Sequence, residues 1–203
     1  NMKTLELSKK YKDYVIEMRR TIHRHPEPGT QEFKTAALIR GELEKMGIPY
    51  EEKFVTGTVA TIKGNNPGKT VALRADIDAL PIKEQNAVDY ASEVDGVMHA
   101  CGHDGHATIG LGVAEVLMQI KDQLRGTVKL VFQPAEEGVR GAKSIVENGH
   151  MDDVQYMIGA HISKYDPGYE IQTTVEWVYA NVCPADVLNY TKGMTSTARL
   201  LIA

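Results

Sequence analysis

Between His99 and His106 the chain packs three histidines, a cysteine and an aspartate into one short stretch, His99-Ala100-Cys101-Gly102-His103-Asp104-Gly105-His106. Thiolate, imidazole and carboxylate together suit a borderline metal such as zinc, and added carboxylates also admit manganese or cobalt. The glycines let the backbone turn sharply, so neighbouring side chains can converge on one point. Three further groups have the same character: Asp76-Ile77-Asp78, Glu136-Glu137 and His161. Adjacent glutamates can divide labour, one holding a metal while its neighbour takes a proton from water. Each group also has a plain structural reading. Asp-x-Asp after a strand is a common turn or helix cap, Glu-Glu a solvated helix start, and a lone His a hydrogen-bonded core residue. Those readings would have to hold independently at four places, each in register with a strand exit or a helix entry.

The register comes from the elements around them. Thr70–Ala75, Thr127–Phe132 and Gln155–Ala160 are short, apolar or β-forming runs, and the candidate groups sit at their C-terminal exits. Helical patterns at Thr108–Leu124 and Gly141–Asn148 separate the runs, with the His/Cys stretch as a loop opening a helix near Ala107. Strands alternating with helices indicate an α/β domain with a largely parallel sheet, whose ligand site lies outside the strands' carboxyl ends. Upstream, the spacing predicts one amphipathic helix from Leu5 to His25, stopped by Pro26, Pro28 and Gly29. A second helix, Gln31 to Met46, is expected to be capped by Thr30 and closed by Gly47. Two short β segments follow, at Tyr50–Val55 and Thr58–Ile62, and then a turn at Asn65-Asn66-Pro67-Gly68.

Composition narrows the function classes. The 203 residues are 42% hydrophobic and 25% charged with a formal net charge of -4. Without a Lys/Arg-rich run, nucleic acid is a poor partner. No apolar stretch approaches the roughly 18 residues of a membrane span, and the polar start of the chain lacks the apolar core of a signal peptide. Two cysteines, Cys101 and Cys183, make no disulfide framework. The expected location is the cytoplasm, where a thiol stays available as a ligand.

Leu73-Arg74-Ala75-Asp76-Ile77-Asp78-Ala79-Leu80-Pro81, Met98 to His106, Phe132-Gln133-Pro134-Ala135-Glu136-Glu137-Gly138 and Gly159-Ala160-His161 resemble, in order and spacing, the motifs of the M20 metallopeptidase family. They are most similar to its aminoacylase, hippurate hydrolase and auxin-conjugate hydrolase branch, and the opening Arg19–Glu27 stretch is typical of it. The resemblance covers about residues 11–163. Within the branch, Val139–Lys143 and the Asp152-Asp153 region are similar to aminobenzoyl-glutamate hydrolases. The fold implied is a three-layer αβα zinc-peptidase-like catalytic domain with a largely parallel central sheet, spanning residues 1–203 and lacking the family's lid and dimerisation domain.

The resemblance assigns roles residue by residue. Cys101, His103, Glu137 and His161 match metal ligands for two divalent ions (zinc, manganese or cobalt), with Cys101 placed to bridge them. Glu136 matches the catalytic general base, and Asp78 the aspartate that orients a ligand imidazole. Asp76, Asp104 and His106 are expected as hydrogen-bond partners behind the ligands, while His99 stays open between that role and loop packing. The implied reaction is hydrolysis of the amide bond of a small N-acyl amino acid by metal-activated water, with a homodimer expected for the full-length protein. A dipeptidase of the same family is the rival enzyme, although dipeptidase branches carry Asp at the bridging position. A catalytically inactive metal-binding fragment is the rival from outside enzymology. No His follows His161, so this stretch is expected to lack the family's late His ligand and the lid, and very low activity is expected of it by itself. The tail reads as a strand at Tyr169–Val178 and a helix at Ala185–Ala203.

Overall fold

The three runs that end in candidate groups form three neighbouring parallel strands. In the computed structural model, which describes residues 2–138 and 141–161, the elements run α1 (Met2–Lys10), α2 (Lys12–Arg24), α3 (Phe33–Lys45), β1 (Tyr50–Lys53), β2 (Gly57–Lys63), β3 (Asn66–Asp76), α4 (His103–Gln119), a 3₁₀ turn (Lys121–Gln123), β4 (Arg125–Gln133), α5 (Gly141–Glu147) and β5 (Tyr156–Gly159). The sheet order is β1-β2-β4-β3-β5. β3 is parallel to β4 on one side and to β5 on the other, and the antiparallel pair β1-β2 extends the β4 edge. The pairings Asp76 with Gln133 and Arg74 with Gly159 bring the three C-terminal exits level.

Alternation along the strands divides the interior in two. Val71, Leu73, Ala75, Val128, Leu130 and Phe132 face one core, shared with Ile22 of α2, Ile39 and Leu43 of α3 and Leu111 and Leu117 of α4. Ala72, Val131 and Val59 face the other, shared with Ile145 of α5. Helices therefore cover both faces of the sheet, the three-layer αβα arrangement. Each fully buried Leu, Ile or Phe contributes about 1.5–3 kcal/mol, so the larger core, under α4, dominates stability. α4 packs on β3 and β4 from one side and on α1, α2 and α3 from the other. Gly110 permits that approach, because a Cβ there would stand 2.9 Å from the Phe132 ring.

Four local expectations need correction. The Leu5–His25 helix is two helices: the Tyr11 amide bonds back to the Ser8 carbonyl at 3.1 Å, one residue short of an α-helical bond, where α1 ends and α2 begins. Thr30 does not cap α3, since its φ of 69° lies in the left-handed region; the Glu27 carboxylate accepts from the Lys34 and Thr35 amides instead. The Asn65–Gly68 turn is absorbed into the irregular start of β3, where the register shifts between Asn66 and Thr70. α4 starts at His103 rather than near Ala107. Gly102, at φ 84°, makes the left-handed entry that only glycine takes readily. The expected strand at 169–178 and helix at 185–203 lie outside the described residues.

Candidate metal centre

His103 sits in the first turn of α4 and is completely buried. Its Nδ1 faces Asp78, 2.8 Å from the main-chain oxygen and 3.2 Å from Oδ1. Donating there leaves the lone pair on Nε2, which is buried and has no hydrogen-bond partner among the described residues. Around that nitrogen stand Asp76 Oδ2 at 3.6 Å, Glu136 Oε2 at 3.9 Å and Glu137 Oε1 at 4.0 Å. Burial opposes a charge on His103, but Asp78 and Asp76 outweigh it and raise the imidazole's pKa. The other Asp78 oxygen accepts from the Glu137 amide at 2.9 Å, so one carboxylate ties the α4 imidazole to the loop after β4.

Cys101 and His161 close the opposite side, with Sγ and Nε2 3.3 Å apart. Burial and then the Glu137 carboxylate push the Cys101 thiol up to about 11. Donor atoms of Cys101, His103 and His161 converge within 4.8 Å, as do those of His103, Glu136 and Glu137 and those of Asp76, His103 and His106. Sulfur, imidazole nitrogen and carboxylate oxygen around a buried, unpartnered imidazole nitrogen fit a divalent transition metal. Glu136 is the more open of the two glutamates, its side chain 38% exposed against 29% for Glu137.

The remaining candidates divide. His106 hydrogen-bonds Asp76 through Nδ1, stacks on His103 (ring centres 5.4 Å apart) and meets His161 edge-on at 4.7 Å. Burial alone would raise Asp76, but His106, His103 and Arg74 hold its pKa below the ordinary carboxylate value. Asp104 is engaged with α2. It accepts from His23 Nδ1 at 2.8 Å and Arg19 Nε at 3.0 Å, locking the start of α4 to α2. His99 is buried, neither ring nitrogen has a hydrogen-bond partner among the described residues, and burial pushes its pKa down to about 4.

Sequence reasoning missed three supporting groups. His23 lies between Asp104 and Glu84, the latter 3.1 Å from Nε2, and Glu84 also accepts from the Ser92 amide, pinning the long connection before His99. Glu32 is fully buried and reaches the Ala135 amide. His23 belongs to the Arg19–Glu27 stretch, where the resemblance carries no role. The only sequence signal for Glu32 and Glu84 was a carboxylate within a turn-rich stretch, which usually means solvent.

The model of peptidase family M20/M25/M40 matches residues 72–196. Thermostable carboxypeptidase 2 of Saccharolobus solfataricus is 48% identical over 163 residues, 78% of this chain and 42% of that protein. IAA-amino acid hydrolase ILR1-like 5 of Arabidopsis thaliana is 45% identical over 164 residues, 80% of this chain and 38% of that protein. Among solved structures, the YXEP protein of Bacillus subtilis, described as a dinuclear metal binding peptidase from the M20 family, superposes with a TM-score of 0.74 at 44% identity, covering 76% of this chain and 44% of that one. The chain thus spans about two fifths of the length of the relatives it matches.

Proposed function

The chain belongs to the M20/M25/M40 peptidase family, and on that premise we propose that it contributes the metal centre of an amidohydrolase that releases an amino acid from its N-acyl conjugate. The observation that carries this reading is the buried, unpartnered Nε2 of His103, with a thiol and an imidazole on one side and two carboxylates on the other. Cys101, His103, Glu137 and His161 would hold two divalent ions, in line with the dinuclear site named for the Bacillus relative. Bound metal would polarise the scissile carbonyl and make the attacking water more acidic.

The chain's own groups then have separate tasks. Asp78 fixes the His103 tautomer, so that Nε2 presents its lone pair to the centre. Glu136, the more exposed glutamate, takes the proton of the attacking water and passes it to the leaving nitrogen. Glu137, its amide held by Asp78, keeps its carboxylate on the metal side. A second reading, release of a C-terminal amino acid from a peptide, is favoured by the 48% identity to the thermostable carboxypeptidase. Cys101 favours the acyl conjugate, because it resembles the thiol of the acyl-amino-acid branch. N-acetyl amino acids, N-(4-aminobenzoyl)glutamate and dipeptides assayed side by side separate the two readings.

The assignment of the glutamates is tested by measuring metal content and hydrolysis in two variants of the full-length protein. Glu136→Gln should retain its metal while turnover falls about 10²–10⁴-fold, the usual contribution of a general base. Glu137→Gln should lose metal, with activity partly restored at high metal concentration. Metal loss in Glu136→Gln with full metal in Glu137→Gln would reverse the two roles, and wild-type protein that hydrolyses no amide would sink the reading.

A further inference from the structure

Glu32 is a carboxylate with no exposed surface, at the residue just before α3. It makes no capping bond to that helix, a task Glu27 performs. Its side chain instead crosses to the far end of β4. Oε1 accepts from the Ala135 amide at 2.8 Å, and Oε2 accepts from the Thr56 hydroxyl at 2.6 Å. Ala135 immediately precedes Glu136 and has a φ of 51°, a left-handed conformation that side chains other than glycine rarely adopt. Gly29 makes room for it, since a Cβ at Gly29 would stand 3.2 Å from the Ala135 Cα.

Glu136 therefore lies between two amides held by buried carboxylates, Ala135 by Glu32 and Glu137 by Asp78. Without the Glu32 acceptor, the buried Ala135 N–H loses its partner. Rotating the backbone out of the left-handed region would relieve that loss and redirect the Glu136 side chain. We propose that Glu32 is a positioning residue that sets the Glu136 carboxylate by holding Ala135 in its left-handed conformation. The proposal rests on the reading of Glu136 as proton acceptor, and it makes reach, rather than charge, the property that matters at position 32.

The test, made in the full-length protein, compares Glu32→Asp, which withdraws the acceptor by one methylene, with Glu32→Gln. The glutamine keeps the length, its oxygen accepting from Ala135 and its nitrogen donating to Thr56. Hydrogen exchange at the Ala135 amide, followed by NMR, should accelerate in Glu32→Asp and stay near the wild-type rate in Glu32→Gln. With an N-acyl amino acid as substrate, Glu32→Asp should lower kcat about 10–100-fold with little change in KM, the scale of losing a group that orients a reacting one. Glu32→Gln should recover most of that loss. In a Glu136→Gln background, Glu32→Asp should cost nothing more, because its effect passes through Glu136. Unchanged Ala135 exchange in Glu32→Asp, a larger loss in Gln than in Asp, or a full additional loss in the Glu136→Gln background would each overturn the proposal. Absence of hydrolysis by the wild type would instead overturn the reading of the site, and Ala135 exchange would then decide the role of Glu32 alone.

Discussion

Cys101, His103 and His106 lie within six residues of one another, yet their surroundings differ in a way that predicts unequal effects on metal binding. All three contribute to convergent clusters, Cys101 with His103 and His161, and His106 with Asp76 and His103; the His103 Nε2 common to both is unpartnered among the described residues. His106 commits Nδ1 to Asp76 and packs its ring on His103 and His161. Removing a ligand deletes a bond to the metal, whereas removing a supporting group costs about 10–100-fold in affinity. Cys101→Ala should therefore lose metal outright under conditions where His106→Ala retains a weakened site. Titration with Co²⁺ followed by visible absorption distinguishes them, and equal affinity in wild type and Cys101→Ala would remove Cys101 from the ligand set.

The contact between α2 and α4 is held by a charged cluster as well as by apolar packing. Both His23 ring nitrogens face carboxylates, Asp104 at 2.8 Å and Glu84 at 3.1 Å, so the imidazole donates to both when protonated. The hydrogen bond to Asp104 raises its pKa above the ordinary histidine value, with burial opposing. A raised folded-state pKa means that the stabilisation is fully present below the unfolded-state value of about 6.5 and fades as pH rises through the folded-state value. His23→Gln should thus destabilise the protein most in mildly acidic buffer, by about 1.5–3 kcal/mol, the scale of a hydrogen bond to a charged group, since Arg19 still pairs with Asp104. The gap from wild type should narrow in alkaline buffer. Thermal unfolding of both proteins across that range checks it, and a gap that widens with pH would refute the cationic assignment.

On the scale of the molecule, the proposed ligands come from separate connections. Cys101 and His103 lie at the entry to α4, Glu137 follows β4 and His161 follows β5. A metal bound by them would join two parallel strand exits and the central helix, and would therefore stabilise the fold as a whole. Binding to the folded state alone adds about 2.7 kcal/mol when free metal is a hundredfold above Kd. Chelation should lower the unfolding temperature of the whole domain in one cooperative step, reversed by adding back Zn²⁺ or Mn²⁺. An unfolding temperature indifferent to chelator would show that these groups hold no metal in the folded protein. Among the described residues, no helix is long and apolar enough to cross a membrane.

Donor types and periodicity alone made the α/β class with its largely parallel sheet legible, because strand exits bearing Asp76, Asp78, Glu136, Glu137 and His161 recur between helical patterns. Those are local properties, readable from a side chain's chemistry and its distance to the next apolar run. The sequence could not show where Asp104 points, since a carboxylate beside His103 looks the same whether it faces the centre or α2. Nor could it show that Glu32 serves a loop 103 residues further along the chain. Helix starts failed for a related reason. A glycine at φ 84° moved the start of α4 back to His103, and a left-handed Thr30 left capping to Glu27. Backbone hand and the partner of a buried charge depend on what packs against them, and that is decided only when the layers close.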